Sequence, residues 1–136
     1  MKKLIMSLVV ILMVVGCTKQ EITTTPQQEK QTTFITISSE EAQERFEKES
    51  DYIILDVRTI QEYEEGHLPN ALNIPNETIS ESIKEQLPDL NQTIYIYCRS
   101  GNRSKQAANK LVQIGYQNVI DFGGIQTWKG EIVEGK

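Results

Sequence analysis

The sequence predicts an α/β domain with a mostly parallel central sheet and helices on both faces. Residues 52–57 and 93–97 are apolar runs of strand length, rich in β-branched and aromatic residues. Such runs are typical of central strands that are buried on both faces, as in a parallel sheet. Residues 104–114 carry apolar side chains at helical spacing, and Gly115 is placed as a C-cap. Because helical segments alternate with the strands, we expect parallel strand pairing.

The shorter segments continue this alternation. Residues 34–37 predict a first strand, and Ser38 followed by acidic residues predicts the start of a helix. Further along, the sequence predicts a short helix over 59–65 closed by Gly66, a strand over 71–74 stopped by Pro75, a helix over 77–87 that ends before Pro88, a last strand over 118–122, a turn at Gly123-Gly124 and a helical turn over 125–128.

Length, charge and residue usage limit the classes of function. A chain of 136 residues is long enough for one domain with one core, and a monomer is expected. The net charge of −5 provides no basic field, so no nucleic-acid partner is expected. His67 is the only histidine, and Cys17 and Cys98 form no CxxC motif. Neither a structural zinc site nor a cofactor is therefore expected.

The N-terminal segment predicts a secretory signal peptide. Lys2 and Lys3 precede an apolar run over residues 4–15, which is too short for a transmembrane helix but suits the h-region of a signal peptide. The run ends in Val14-Val15-Gly16-Cys17, which resembles the bacterial lipoprotein box. The resemblance implies a signal peptide over 1–16 and lipidation of Cys17. The alternative is an uncleaved signal anchor with an incidental cysteine.

Residues 17–32 are interpreted as the lipidated cysteine and a flexible tether. The segment is rich in Thr, Gln, Lys and Glu and has almost no apolar side chains to bury. The folded domain is expected over residues 33–136. Several acyl chains on one cysteine form a stable anchor in a membrane, so we expect the protein in the cell envelope, on the extracytoplasmic side of a bacterial membrane.

The candidate chemistry lies directly after the strand over 93–97. There Cys98-Arg99-Ser100-Gly101-Asn102-Arg103 leads into a helix that begins near Ser104. Ligands of open parallel sheets bind at the carboxyl ends of the strands. Helix N-termini and cations favour thiolates, and the N–H groups of tight loops form anion nests. Gly101 permits the positive φ that such a loop needs, and Asn102 tolerates it. The loop therefore predicts a site for an anion; the alternative is a buried structural thiol.

Five segments, taken in order, resemble the rhodanese-homology family over nearly the whole predicted domain. They are Leu55-Asp56-Val57-Arg58 with Glu62-Tyr63, the segment 66–75 (GHLPNALNIP), the segment 98–104 (CRSGNRS), Gly115-Tyr116 with Asn118-Val119, and Gly123-Gly124-Ile125 with Trp128. Asn70 stands where the family often has glycine, and asparagine can still adopt a left-handed turn.

The resemblance implies a sulfurtransferase that works by covalent catalysis in two steps. Cys98 would take a sulfane sulfur from a small anion such as thiosulfate, hold it as a persulfide and pass it to cyanide or a thiol. The cradle of backbone N–H groups would be supplied by Arg99, Ser100, Gly101, Asn102, Arg103 and Ser104. Within that cradle Arg103 would help to bind the donor. Residues 33–136 contain no second cysteine, so the acceptor must come from outside.

Two further residues have competing interpretations. The resemblance implies that Arg58 lies near the site, and the alternative is an ion pair with Asp56, Glu62 or another acid that braces the fold. His67 is interpreted as a turn histidine that bonds to the backbone or to a carboxylate. The alternative, a general base, is disfavoured because a thiolate held in a nest needs no base.

Two other functions stay open at this point. A rhodanese-like domain can also serve as a sulfur carrier without turnover or as a partner-binding module, because fold resemblance does not prove turnover. A cysteine phosphatase or arsenate reductase would use Cys-x5-Arg, with arginine six positions after the cysteine. Here Arg103 is five positions after Cys98 and Ser104 is the sixth, which predicts a smaller cradle suited to sulfur.

Overall fold

A five-stranded parallel sheet organises residues 33–136, the part of the chain that the computed structural model describes. The predicted signal peptide (1–16) and the predicted lipidated cysteine and tether (17–32, with Cys17) lie outside the described residues. None of the helices within residues 33–136 has the length and apolar character needed to cross a membrane.

The strands and helices alternate along the chain. The strands are β1 (Ile35–Thr36), β2 (Tyr52–Asp56), β3 (Leu72–Asn73), β4 (Thr93–Cys98) and β5 (Asn118–Gly124), and the α-helices are α1 (Ser39–Lys48), α2 (Ile60–Glu65) and α3 (Asn102–Ile114). Short 3-10 helices cover Asn76–Thr78, Glu81–Glu85 and Ile125–Thr127. The strand order is β1-β5-β4-β2-β3, and every neighbouring pair is parallel. The predicted α/β class with a mostly parallel sheet is confirmed.

Apolar side chains are buried on both faces of the sheet. Along β4, Ile94, Ile96 and Cys98 belong to the core that α3 covers, whereas Tyr95 and Tyr97 belong to the core beneath α1 and α2. The alternation follows from the strand geometry, in which successive side chains point to opposite faces. Full burial of an apolar side chain of this size contributes about 1.5–3 kcal/mol. The prediction of a strand buried on both faces is therefore confirmed, and it places the Cys98 side chain on the α3 face.

The helix starts follow local capping chemistry. Ser38 is the N-cap of α1 as predicted, and its hydroxyl accepts a hydrogen bond from the Glu41 N–H at 3.1 Å. At the start of α2, Thr59 and Glu62 form a capping box in which each side chain bonds to the other's backbone N–H. Such caps satisfy N–H groups that have no partner within the helix.

The helix predicted over 77–87 is wrong: two 3-10 helices, Asn76–Thr78 and Glu81–Glu85, take its place. Ser80 separates them in an extended conformation with φ −148°. Ile79, Ile83 and Leu87 are buried at intervals of four residues, a spacing that is compatible with a helix. Serine and β-branched residues disfavour helix interiors, so these apolar side chains reach the core without a continuous helix.

A second difference concerns the end of β5. The sequence predicted a strand that ends at residue 122 and a turn at Gly123-Gly124, but β5 continues through Gly124. Gly124 pairs with Cys98 across a register shift in β4. Glycine is depleted in strands in general and often marks a bulge or a close approach of two backbones. The extra residues of β5 therefore lie directly beside the candidate active-site loop.

Candidate active site

The candidate site lies at the carboxyl edge of the parallel sheet, where the predicted loop connects β4 to α3. Cys98 is the last residue of β4, and α3 begins at Asn102, slightly before the predicted Ser104. The Cys98 side chain is only 1% exposed, and it is a free thiol. The sulfur therefore has almost no contact with solvent.

The loop curls around the sulfur of Cys98. The Gly101 N–H donates a hydrogen bond to Cys98 Sγ at 3.0 Å, and the Cys98 thiol donates one to Ser104 Oγ at 3.6 Å. Gly101 has φ 106° and is the N-cap of α3, so the predicted left-handed position is confirmed there. Asn102 is instead the first helical residue and needs no positive φ. The sulfur thus faces one loop amide and the N-terminus of a helix, both of which favour an anion.

Ser104 connects this loop to β5. Its hydroxyl lies within hydrogen-bonding distance of the carbonyl oxygens of Gly101 (3.0 Å) and Gly123 (3.3 Å). The carbonyl of Arg99 accepts a hydrogen bond from the Gln126 N–H at 3.3 Å. The Cys98 loop is therefore held from β5 and from the residues that follow it, and this support could not be seen in the local sequence.

Arg103 is held by a carboxylate that the sequence did not assign to the site. Its two terminal nitrogens bond to the two oxygens of Glu62, each at 2.8 Å. The Arg103 guanidinium lowers the pKa of the Glu62 carboxyl to about 2, and Glu62 in turn raises the pKa of Arg103. The pair therefore stays charged at the pH of ordinary assays. Glu62 is part of the Glu62-Tyr63 motif, but its position opposite the loop depends on the tertiary fold.

The other polar residues of the loop face outward. Arg99, Ser100 and Asn102 are exposed, and Arg99 makes no ion pair with any residue in 33–136. A cavity of about 350 Å³ borders the loop beside Arg99 and Ser100. The structure thus separates the two loop arginines into one that is neutralised by Glu62 and one that is available to an external anion.

Arg58 forms an ion pair with Asp56, which was the alternative to a position near the substrate. Its guanidinium bonds to both carboxylate oxygens of Asp56, with a shortest distance of 2.7 Å, and donates to the Gly66 carbonyl at 2.7 Å. It lies 5.6 Å from the ring centre of Tyr97, whose side chain belongs to the core opposite Cys98. The pair braces the carboxyl end of β2, and contact of Arg58 with a substrate stays a prediction.

His67 bonds to the backbone, as predicted, but it lies in an isolated antiparallel bridge with Val133 and not in a turn. Its Nδ1 lies 2.7 Å from the Tyr63 carbonyl, and its ring stacks on the Tyr63 ring with centres 3.6 Å apart. Asn70 has φ 62°, so the left-handed turn predicted at this position is also confirmed. Within residues 33–136, no three His, Cys, Asp or Glu side chains are grouped closely enough to hold a metal ion.

The fold and this loop define an α/β protein with a buried cysteine between a central strand and a helix N-terminus. The model of the rhodanese-like domain matches residues 38–131. The chain therefore belongs to the rhodanese-like family.

Two curated relatives and one solved structure are similar to this chain over different shares of their length. Thiosulfate sulfurtransferase PspE of Escherichia coli (strain K12) is 38% identical over 72 residues, which are 53% of this chain and 69% of PspE. Adenylyltransferase and sulfurtransferase UBA4 of Candida albicans is 39% identical over 88 residues, which are 60% of this chain but only 20% of UBA4. A structure described as rhodanese with anions from E. coli has a TM-score of 0.58 and 34% identity, covering 62% of this chain and 99% of the other.

Proposed function

We propose that this chain is a rhodanese-type sulfurtransferase in which Cys98 carries the transferred sulfur as a persulfide. Membership of the family supports sulfur transfer, because PspE and UBA4 are both named as sulfurtransferases. The observation that carries the persulfide proposal is the position of Cys98 Sγ, 3.0 Å from the Gly101 N–H and beside the first turn of α3. These groups favour the thiolate that must attack and the persulfide anion that results.

The proposed reaction has two displacement steps. In the first, the Cys98 thiolate attacks the outer sulfur of a donor such as thiosulfate. A new S–S bond forms, the S–S bond of the donor breaks, and sulfite leaves with the electron pair. In the second, cyanide or a thiolate attacks the outer sulfur of the persulfide, and Cys98 leaves again as the thiolate. Splitting the transfer in this way is covalent catalysis.

The two loop arginines are given different roles in this proposal. Arg99 is exposed and makes no ion pair among residues 33–136, so we assign it to the approaching donor anion. Arg103 is bound on both nitrogens by Glu62 and instead fixes the first turn of α3 relative to α2. Cys98 is the only cysteine in residues 33–136. The persulfide is therefore passed to an external acceptor and not resolved within the domain.

An intact-mass measurement tests the persulfide. The chain from Thr18 onward is incubated with thiosulfate, freed of excess donor and weighed with and without cyanide. We expect a gain of one sulfur atom that cyanide removes, and no gain in the matched Cys98→Ser variant. Loading without repeated turnover would favour the sulfur carrier. Absence of loading combined with hydrolysis of an aryl phosphate would overturn the proposal in favour of a phosphatase.

We also propose that Cys17 is lipidated and holds the domain on the extracytoplasmic side of a bacterial membrane. The support is the sequence alone, namely an apolar run over 4–15 that stops at this cysteine. Expression of the full chain with radiolabelled palmitate tests the proposal. We expect label on the wild type and on Cys98→Ser, but not on Cys17→Ser. An unlabelled wild type in the membrane fraction would favour an uncleaved signal anchor instead.

A further inference from the structure

A second cavity lies on the α1 face of the sheet, away from the Cys98 loop. It measures about 550 Å³ and is bounded by the C-terminal half of α1, the start of β2, the 68–70 turn and the 128–131 segment. Cavities of this size typically hold small organic ligands. Neither Cys98 nor any other residue of the loop lines this cavity.

The position of the cavity separates it from the proposed sulfur chemistry. Tyr52 begins β2 and pairs with Thr93 at the start of β4, whereas Cys98 ends β4. Five residues of strand correspond to about 17 Å along the sheet. In addition, the cavity is on the face that carries Tyr95 and Tyr97, and Cys98 points to the other face. A ligand in this cavity would therefore not touch the loop.

The apolar part of the wall contains three aromatic side chains, Phe46, Tyr52 and Trp128, together with Ile54, Leu68 and Pro69. Phe46 stacks on Tyr52 with ring centres 4.9 Å apart and lies 5.9 Å from the Trp128 ring. The indole N–H of Trp128 donates to the Glu131 carbonyl at 3.1 Å, which fixes the orientation of that ring. The faces of aromatic rings attract cations, and tryptophan does so most strongly.

The polar part of the wall is acidic and has no counter-charge. It contains the exposed residues Glu47, Glu49, Asp51 and Glu131 beside the uncharged Gln43, Ser50 and Asn70, and among residues 33–136 no Lys or Arg lines the cavity. Of the basic residues that neighbour the cavity residues in the sequence, Arg45 bonds to Glu41 and Lys129 to Glu40, and Lys48 is exposed. None of the four cavity carboxylates forms an ion pair with a residue in 33–136. Carboxylates beside aromatic rings favour a positively charged ligand with an apolar body.

Two residues at the rim have a left-handed backbone conformation. Within residues 33–136, two residues other than glycine have positive φ, Asp51 (61°) and Asn70 (62°), and both line this cavity. Aspartate and asparagine adopt this conformation more readily than most other residues, so both positions are turn positions at the rim.

We propose that this cavity binds an organic cation, an ammonium, amidinium or guanidinium group carried on an aromatic or aliphatic body. The positive group would lie between the carboxylates and the aromatic rings, and the apolar body would pack against Phe46 and Trp128. The same chemistry could come from a free amine or from a basic side chain of a peptide, and the test below separates these sources. The site is independent of the sulfur chemistry proposed for Cys98.

Trp128 is the only tryptophan of the chain, so its fluorescence reports directly on the cavity. The full chain is titrated with benzamidine, a flat cation, and with benzamide, its neutral counterpart. We expect a saturable change with benzamidine and at least about tenfold weaker binding of benzamide, corresponding to about 1.4 kcal/mol for the charge. Equal binding of both compounds, or no saturable change, would overturn the proposal.

Two double variants test whether the cavity carboxylates are responsible for the binding of benzamidine. Asp51→Asn with Glu131→Gln removes two cavity charges, and asparagine tolerates the positive φ of residue 51. Glu44→Gln with Glu134→Gln removes two exposed charges outside the cavity. We expect the first pair to weaken benzamidine binding at least about tenfold and the second to leave it unchanged. Similar effects of both pairs would contradict the proposal.

A capped Gly-Arg-Gly peptide, titrated in parallel, identifies the source of the cation. Binding comparable with that of benzamidine assigns the cavity to basic side chains of a polypeptide. Binding of benzamidine alone assigns it to free organic cations. Thiosulfate loading of Cys98 is measured on the same samples, and we expect the cavity variants to load as the wild type does.

Discussion

Replacement of Asp56 by alanine is expected to lower the free energy of unfolding by about 3–5 kcal/mol. Asp56 is fully buried and accepts hydrogen bonds from the backbone N–H and the guanidinium of Arg58, which is itself 5% exposed. Removal of the carboxylate leaves the buried guanidinium with only the Gly66 carbonyl as an acceptor. A loss of this size is a large share of the 5–15 kcal/mol that holds a typical domain folded. Urea unfolding followed by circular dichroism measures it.

The matched control for this variant is an exposed ion pair in the same domain. Glu41 and Arg45 bond at 2.7 Å, but their side chains are 48% and 32% exposed. Glu41→Ala should therefore change the free energy of unfolding by less than about 1 kcal/mol. The double variant Asp56→Ala with Arg58→Met should lose less stability than Asp56→Ala alone, because no unpaired charge stays buried. A larger loss in the double variant would show that the pair is not what stabilises this edge of the sheet.

The same double variant examines the role of Arg58 in catalysis. If Arg58 only braces the end of β2, the folded fraction of the double variant should take up sulfur from thiosulfate at the wild-type rate. A loss of loading without loss of folding would instead support the substrate contact that the family resemblance implied. Stability and loading must therefore be measured on the same preparation.

The parts of the fold that could be predicted are those in which a local sequence pattern strongly favours one type of secondary structure. The apolar runs that became β2 and β4 have strand length and are rich in β-branched and aromatic residues, which favours central strands, and Ser38 followed by acids favours a helix start. The 77–87 segment was mispredicted because Ile79, Ile83 and Leu87 have helical spacing but are buried by two separate 3-10 turns. The spacing of the apolar residues gives no indication of the extended backbone at Ser80, which separates the two 3-10 helices.

The candidate site also has features that could be predicted from the sequence and features that could not. Cys98 and the left-handed Gly101 follow from a contiguous motif, and both are found where the sequence placed them. The partner of Arg103 is 41 residues away in the chain, so its neutralisation by Glu62 required the tertiary structure. The contact between Gly124 and the backbone of the loop likewise depends on how far β5 extends.

Gly124→Ala is expected to disable the loop as well as to destabilise the domain. A Cβ atom at this position would lie 2.1 Å from the Arg99 carbonyl oxygen and 2.7 Å from Ser100 Cα. Both are backbone atoms, so β5 or the loop must move. Overpacking of this kind costs about 1–3 kcal/mol, and a displacement of about 1 Å in a catalytic group can slow a reaction about 100-fold. We expect a loss of that order in the rate of sulfur loading, measured by intact mass.

Gly123→Ala is the control that introduces backbone strain next to the same position without a clash against the loop. Gly123 has φ 87°, and a Cβ atom there would meet no atom within 4 Å. Alanine in this left-handed conformation costs about 1–2 kcal/mol, which is comparable with the expected destabilisation by Gly124→Ala. The two variants should thus be similarly destabilised, yet only Gly124→Ala should load sulfur slowly, because only it pushes against Arg99 and Ser100. If both variants load equally fast, the position of the loop does not depend on its contact with Gly124.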